Sequence, residues 1–351
     1  MLIDRIRKAH CARDTGLLIR YLGLETGQPL SLRLAGSADG LTAERVRQVV
    51  ANVRQSLTFM ALPEFAELFG YLDVHTPCYS GPLTFPIEKG SGLQSSDGQA
   101  FHVEGLLRLA EFSGHPTRFH ARTLKGFKEK IILSDQQGRL FDLYYDLFYA
   151  GAARAGALSP ARLRDAALAK GRDASIETAQ AFFASLEKLG LSAIPCGSSE
   201  RWLGLPDSPG LPVVRIMRLL QAIPAFEISP RVEEKIVYAG LHEHEKLPRP
   251  VLSARLEREN IRIDDNVVKY EHGTFVKSEN AQLEITNAGD SGLTILRMIE
   301  IIRAFGGRMP KKAFFNACMQ SGIKLATARV YGYNSGLFVV AGEEISLPFL
   351  S

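Results

Sequence analysis

The chain has only four cysteines, Cys11, Cys78, Cys196 and Cys318. None forms a CxxC pair or stands beside a histidine at zinc-ligand spacing. That scatter excludes a disulfide framework and a structural zinc site, and predicts reduced thiols in a cytoplasm. Uninterrupted apolar runs of 18 residues are lacking, so no membrane partner is expected. The opening residues, MLIDRIRKAHCARD, are charged throughout and lack the apolar centre of a signal peptide.

Signatures of catalysis are equally scarce. Gly210, Gly240 and Gly306-Gly307 form no phosphate-cradling series followed by Lys and Ser/Thr, and no GxSxG elbow occurs. The histidines of HEHEK, His242 and His244, are two apart, whereas a helical zinc site needs them four apart. They read as a polar loop before Pro248 and Pro250. Asp264-Asp265-Asn266 reads as a hairpin turn. Nuclease or recombinase chemistry would need gathered carboxylates, or a tyrosine among arginines, and only Tyr331 and Tyr333 near Arg329 offer a start. No catalytic residue, metal or cofactor is expected, and an enzyme is the least supported class.

What is present is ordinary globular composition, 46% apolar and 23% charged, over 351 residues. That length suits two to four modest domains. A net charge of +4 permits a nucleic-acid partner without demanding one. Helical periodicity dominates. Leu2, Ile6 and His10 share a face, as do Leu17, Leu18, Tyr21 and Leu22. Leu41, Val46, Val49, Val50, Val53 and Leu57 continue the pattern, predicting one amphipathic helix that runs on toward Leu72. Residues 76–100, rich in Pro, Gly and Ser, read as a linker or long loop.

Beyond it, a pattern of two or three short helices closed by a β-prone hairpin recurs, in units of about 55 to 67 residues. The instances begin at LFDLYYDLFYAGAARAG (140), VVRIMRLLQAI (213) and SGLTILRMIEIIRAFGGR (291), and residues 101–134 read as a degenerate further unit. This is the winged helix-turn-helix plan. Units this small are near the lower limit for a self-sufficient core, so neighbours are expected to pack on one another. The expected fold is mainly α with short β-hairpins, an N-terminal helix-turn-helix followed by tandem winged helix-turn-helix units. The expected divisions are 1–75, a linker at 76–100, a helical winged region at 101–208, a winged unit at 209–280 and a basic one at 290–351. One irregular helical domain with a few hairpins is the plainer alternative.

The stretch IRYLGLETGQPLSLRLAGSADGLTAERVRQVVANVRQSL, residues 19–57, carries the most specific pattern. Thr42 can cap a helix, and Glu44 in the first turn suits its dipole. On a 3.6-residue period Glu44, Arg47 and Gln48 share an outward arc while Val46, Val49 and Val50 face a core. The segments Arg20-Tyr21-Leu22-Gly23-Leu24, Leu30-Ser31-Leu32 and Thr42-Ala43-Glu44-Arg45-Val46-Arg47-Gln48-Val49 resemble, in that order, region 4 of the bacterial sigma-70 family. The resemblance covers about forty residues. It implies that the last segment is a recognition helix entering the major groove by its N-terminal end. Gln48 would then bond adenine, Arg45 or Arg47 guanine or phosphate, and Glu44 cytosine. Ala43 stands where many members carry a basic residue, and only about 18 residues precede the matched segment. The expectation is a sigma-type reading head on a multi-module DNA binder.

Positive charge gathers at the other end. Between Leu293 and Gly342, seven Lys/Arg (Arg297, Arg303, Arg308, Lys311, Lys312, Lys324, Arg329) meet one acid, Glu300. That excess of six exceeds the whole-chain charge. This stretch resembles a bacterial winged helix found fused to sigma-region-4-like segments, on Gly322, Ile323, Thr327, Arg329 and Tyr331, then Leu337-Phe338-Val339 and Gly342. The resemblance implies that Lys324, Thr327 and Arg329 face DNA and that Lys311 and Lys312 meet phosphates. Middle helices are less suited. Residues 174–190 hold Glu177 and Glu187 against Lys188, which suggests packing on a neighbour or partner, and the helix read at 253–263 mixes both signs. LFDLYYDLFYAG reads as a buried helix rather than a base-stacking platform.

The expected partner is double-stranded DNA, with RNA polymerase or a second copy as further partners that this reading admits. A cytoplasmic, nucleoid-associated transcription regulator is the leading expectation. A winged-helix assembly protein and a plasmid or phage replication initiator are its rivals.

Overall fold

A computed structural model describes residues 2–60, 62–81, 101–197, 200–222, 225–271, 291–334 and 337–347. They are mainly helical, with three short antiparallel three-stranded sheets. The chain divides into two compact units, Met1–Leu143 with Ala181–Gly190, and Tyr144–Gln180 with Leu191–Ser351.

The first unit opens with four helices, α1 (Leu2–Ala9), α2 (Ala12–Leu22), α3 (Leu32–Ser37) and α4 (Ala43–Thr58). Their boundaries follow from local chemistry. Gly23 takes the left-handed conformation (φ 65°) and ends α2. Ser31 and Thr42 each use a side-chain oxygen to accept an N–H of the first turn, from Leu34 and Arg45, and so start α3 and α4. One stripe of α4, Val46, Val49, Val50, Val53 and Leu57, is buried.

Helical structure does not continue to Leu72 as one piece. α4 stops at Thr58 and α5 (Glu64–His75) starts after Pro63. Proline lacks an N–H and disfavours helical geometry in the residue before it, so the run is cut there despite its apolar period. The expected linker is also partly ordered. Thr76 is buried, and β1 (Cys78–Tyr79) enters a sheet. The rest of that stretch, from 82 to 100, lies outside the described residues.

Next come α6 (Val103–Phe112), β2 (Phe119–Arg122) and β3 (Ile131–Ser134). The strand order is β1-β3-β2, with Cys78 opposite Ile132 and Arg122 opposite Ile131. A strand ahead of the last helix pairs with the far strand of a closing hairpin, which is winged-helix connectivity. Residues 101–134 are thus the second half of a winged unit that begins with α5 and β1. Its core is continuous with that of α2 and α4, joining Leu18, Leu22, Val53 and Leu57 to Phe65, Leu106, Phe119 and Ile132.

α7 (Asp135–Ala155) passes from the first unit into the second. Its tyrosine-rich stretch is buried at Tyr144, Tyr145 and Phe148. α8 (Pro160–Ala169), capped by Ser159, and α9 (Ile176–Lys188) follow. The hairpin expected near 192–205 is reduced to single-residue bridges, Leu203 pairing with both Leu158 and Ala193. The same connectivity persists with almost no sheet.

The second unit repeats the order twice more. α10 (Leu211–Ala222), β4 (Ala225–Glu227), the short α11 (Pro230–Val232) continued by a π-helical turn to Val237, α12 (Arg249–Glu257), β5 (Ile261–Asp264) and β6 (Val267–Tyr270) give strand order β4-β6-β5. The helix read at 253–263 therefore ends early. Asn260 is left-handed (φ 58°), and Ile261 already starts a strand. Asp265 and Asn266, both at positive φ, form the two-residue hairpin turn. The last repeat comprises α13 (Ser291–Ala304), β7 (Arg308–Pro310), α14 (Lys311–Gln320), α15 (Leu325–Asn334), β8 (Val339–Ala341) and β9 (Glu344–Ser346), ordered β7-β9-β8. These two repeats share one core, from Val213 and Phe226 through Ile299 to Phe314 and Ile345.

The first unit depends on one close backbone approach. A Cβ at Gly105 would lie 2.7 Å from the Gly23 carbonyl oxygen and 2.7 Å from the Leu24 Cα. Backbone cannot yield as a flexible side chain would. Gly105→Ala is expected to cost about 1–3 kcal/mol, read as a lower midpoint in chemical denaturation. An unchanged midpoint would refute the tight α2–α6 seat.

Candidate nucleic-acid interface

Five helices are placed to act as reading helices: α4, and the last helix before each hairpin or bridge pair, α6, α9, α12 and α15. Burial separates them. α6 is enclosed, with Val103, Gly105, Leu106, Leu107, Leu109 and Ala110 all buried. α12 is enclosed too. Its Arg255 is only 4% exposed and donates to the Ser208 carbonyl instead of facing solvent. Burial pushes that guanidinium down to about 10, with Arg258 adding to the effect. α9 buries Phe182, Phe183 and Leu186 and exposes Glu177, Gln180, Ala181, Ala184 and Lys188, a face with little to offer a phosphate. Phe182 meets Phe141 edge-on at 5.1 Å.

α4 differs. Thr42, Glu44, Arg45, Arg47 and Gln48 are all exposed, while Val46, Val49 and Val50 beneath them are buried. The outward side chains are ordered in pairs along the helix. Arg47 donates to the Glu44 carboxylate at 2.9 Å, and Arg45 donates to Gln48 Oε1 at 3.2 Å. The Arg47 hydrogen bond holds the Glu44 carboxyl below its usual range and raises Arg47 in turn. Thr42 is committed as the cap, so its hydroxyl oxygen already accepts the Arg45 N–H at 3.3 Å.

A polar framework fixes this helix-turn-helix segment. Arg20 donates through Nε to the Ala35 carbonyl at 3.1 Å and through Nη2 to Asp39, so the end of α2 grips the turn between α3 and α4. Arg108 of α6 donates to the Leu22 and Gly27 carbonyls, each at 2.7 Å, and to Glu104 at 2.9 Å. Glu104 also accepts from Lys130 at 2.8 Å and from Ser80 at 3.3 Å. Burial pushes the Glu104 carboxyl up, but Lys130 and Arg108 outweigh it and hold it below the usual carboxylate range.

α15 is the other open helix. Lys324, Arg329, Val330 and Tyr333 are exposed around it, with Thr327 and Tyr331 half-buried. Lys312 is exposed at the start of α14, but Lys311 is only 20% exposed at its side chain and pairs with Glu343 at 3.5 Å. Arg308 likewise pairs with Glu344 at 2.6 Å. These acids lie just beyond Gly342, where the sequence count of charge stops. Carried through Glu344, seven cations meet three acids, an excess of four instead of six. The basic face is therefore Arg329, Lys324 and Lys312 more than Lys311 or Arg308.

Sequence reasoning passed over Arg108, Glu104 and the lysines of TLKGFKEK (123–130), which form the β2–β3 loop. The signal was present: a Lys-Gly turn between two β-prone runs, FHAR and IILS. Among the described residues no cluster of His, Cys, Asp or Glu is placed to hold a metal ion. Nor is any described helix long and apolar enough to cross a membrane. No protein-family model, curated protein or solved structure matches the chain.

The depressed Glu104 carboxyl gives a signed pH dependence. Its ion pairs stabilise the fold fully above the unfolded carboxylate value of about 4.3, and this is lost as pH falls through the lower folded value. In urea titrations Glu104→Gln should lower the wild-type midpoint at neutral pH, with the gap closing below about pH 4. A gap that stays constant to acid would mean the charge contributes nothing.

Proposed function

We propose that this chain binds double-stranded DNA through α4, as a transcription regulator, with the basic face around α15 adding phosphate contacts. The observation that carries this is selective exposure. Of the five helices in reading positions, α4 presents Glu44, Arg45, Arg47 and Gln48 outward from its N-terminal half over a buried valine stripe. Those side-chain types suit base edges. Arginine matches guanine, glutamine matches adenine, and a carboxylate accepts from cytosine. α15 contributes Arg329, with Lys324 just before it and Lys312 at the start of α14, as backbone neutralisers, which add affinity and register without sequence information.

The likeness of residues 19–57 to sigma-70 region 4 supports this assignment. Its Gly23, Ser31 and Thr42 sit at a helix stop and two helix starts. RNA polymerase or a second copy would be a further partner of such a reading head, and the protein would reside on the nucleoid. A second reading, as an assembly protein, draws on large apolar side chains left in solvent, above all Phe59 at 84% and Val74 at 68% exposed.

Genome-wide occupancy of wild type against Arg47→Ala with Gln48→Ala separates the two. Both side chains are exposed, so the fold should survive. Each lost base contact removes about 1–3 kcal/mol of discrimination, roughly tenfold or more in site preference. Specific sites should be redistributed or lost. Unchanged occupancy would move recognition to α15, and DNA binding absent at every salt concentration would favour the assembly reading.

A further inference from the structure

In the first unit the end of α2, the later half of α4 and the end of α6 surround a recess of about 350 Å³. That is near the lower end of the range for small-molecule sites, about 300–1,000 Å³. Its apolar surface comes from Leu22, Leu30 and the ring of Phe112. Leu22 is buried, whereas Leu30 and Phe112 stay half-open. The rim is held by the fold itself. Arg108 donates to the Leu22 and Gly27 carbonyls, each at 2.7 Å, and the Leu30 N–H donates to the Arg20 carbonyl at 3.3 Å. A wall already fixed costs less to order when a ligand arrives.

The polar groups of the recess fall into two kinds. Arg108 is engaged by those carbonyls and by Glu104. Arg54, Glu111 and the Tyr21 hydroxyl are not engaged in this way. Arg54 and Glu111 are both exposed, and neither forms an ion pair with a described residue. Arg54 instead lies over the Phe112 ring, 5.7 Å from its centre. That contact sets the guanidinium beside the apolar surface and leaves its fork of donors open. Tyr21 is half-buried, and its hydroxyl has no hydrogen-bond partner among the described residues.

Opposite charges that line one recess without meeting match a ligand that carries both. In an α-amino acid the carboxylate and the ammonium flank a single carbon, and the side chain leaves it in a third direction. We propose that this recess binds a free α-amino acid with an apolar side chain. Arg54 takes the carboxylate in a two-bond fork, with the Tyr21 hydroxyl as a further donor. Glu111 takes the ammonium, and the side chain lies against Leu22, Leu30 and Phe112. A ligand with only a negative charge would satisfy Arg54 but bring that charge beside Glu111, and a simple cation would face Arg54 in the same way. The proposal does not rest on the DNA reading of α4. Because Arg54 and Glu111 belong to different helices, a bound amino acid would bridge α4 and α6.

Isothermal titration calorimetry on the full-length protein tests this with L-phenylalanine and L-leucine as probes. A ligand of this size is expected to bind with a dissociation constant of about 1 mM or tighter. Phenylpropionate, which lacks the ammonium, and phenethylamine, which lacks the carboxylate, should each bind about tenfold more weakly than L-phenylalanine. Arg54→Ala and Glu111→Gln should each weaken L-phenylalanine by about tenfold. Both side chains are exposed, so the fold should survive. Glu111→Gln should also narrow the gap between L-phenylalanine and phenylpropionate, which a general loss of structure would not do. Wild type that binds neither amino acid at about 10 mM would overturn the proposal. So would equal affinity of wild type for phenylpropionate, or variants that bind L-phenylalanine as wild type does.

Discussion

The carboxylate of Glu104 is the constraint around which the first unit is arranged. It is almost buried, and taking such a charge out of water costs several kcal/mol unless donors replace the lost hydration. Arg108, Lys130 and Ser80 supply them, from the same helix, the base of the β2–β3 loop and the end of the β1 segment. Arg108 spends its other donors on the Leu22 and Gly27 carbonyls, which flank the end of α2. One acid thereby ties together segments more than a hundred residues apart in sequence, and the helix-turn-helix inherits a fixed platform. The close seat of Gly105 on Gly23 and Leu24 allows this, because Arg108 reaches those carbonyls only if the two backbones touch.

The second unit solves a related problem by burying arginine. Arg255 lies against Gly204, which itself would bring a Cβ within 2.6 Å of the Gly156 carbonyl oxygen. Gly210 crowds Gly156 in turn. Backbone packed on backbone leaves carbonyls as the partners of the buried cation, and Ser208 provides one. This commits α12 to the interior. Repeated connectivity therefore does not mean repeated function. The helix before the hairpin becomes core in two repeats and presents a face of small residues and balanced charge in a third, while α15 stays open.

Much of this was legible in the sequence where the cause is local. The Thr42 cap, the valine stripe of α4 and the Asp265-Asn266 turn each follow from chemistry within a few residues. Hairpin connectivity of the last two repeats was legible for the same reason. One miss was local: the apolar period from Leu41 to Leu72 was given more weight than Pro63, which cuts it. The other misses are non-local. β1 is two residues inside a Pro- and Gly-rich stretch, and only its pairing with Ile131 and Ile132 makes it a strand. The helix read at 253–263 mixes both signs, and charge in a sequence does not reveal burial, so nothing there marked Arg255 as an interior residue. Lys311 and Arg308 looked available because their acids, Glu343 and Glu344, come from the next hairpin.

Those pairings bear on how recognition would be divided. Many of the chain's cations are engaged within the fold, and the net charge is only +4. The sequence-independent part of DNA affinity scales with the phosphates neutralised, so each cation held in an internal ion pair is one fewer for non-specific attraction. On the proposed DNA reading, affinity would depend correspondingly more on base contacts and on well-placed phosphate contacts. The paired side chains of α4 suit that division. Glu44 with Arg47 and Arg45 with Gln48 are exposed and screened by water, so exchanging these partners for base edges costs little. The buried valines hold the helix itself in place while the exchange occurs. On the proposed DNA reading, specificity would reside in a rigid backbone with exchangeable side-chain partners, and the ion pairs around Glu104 would supply the rigidity.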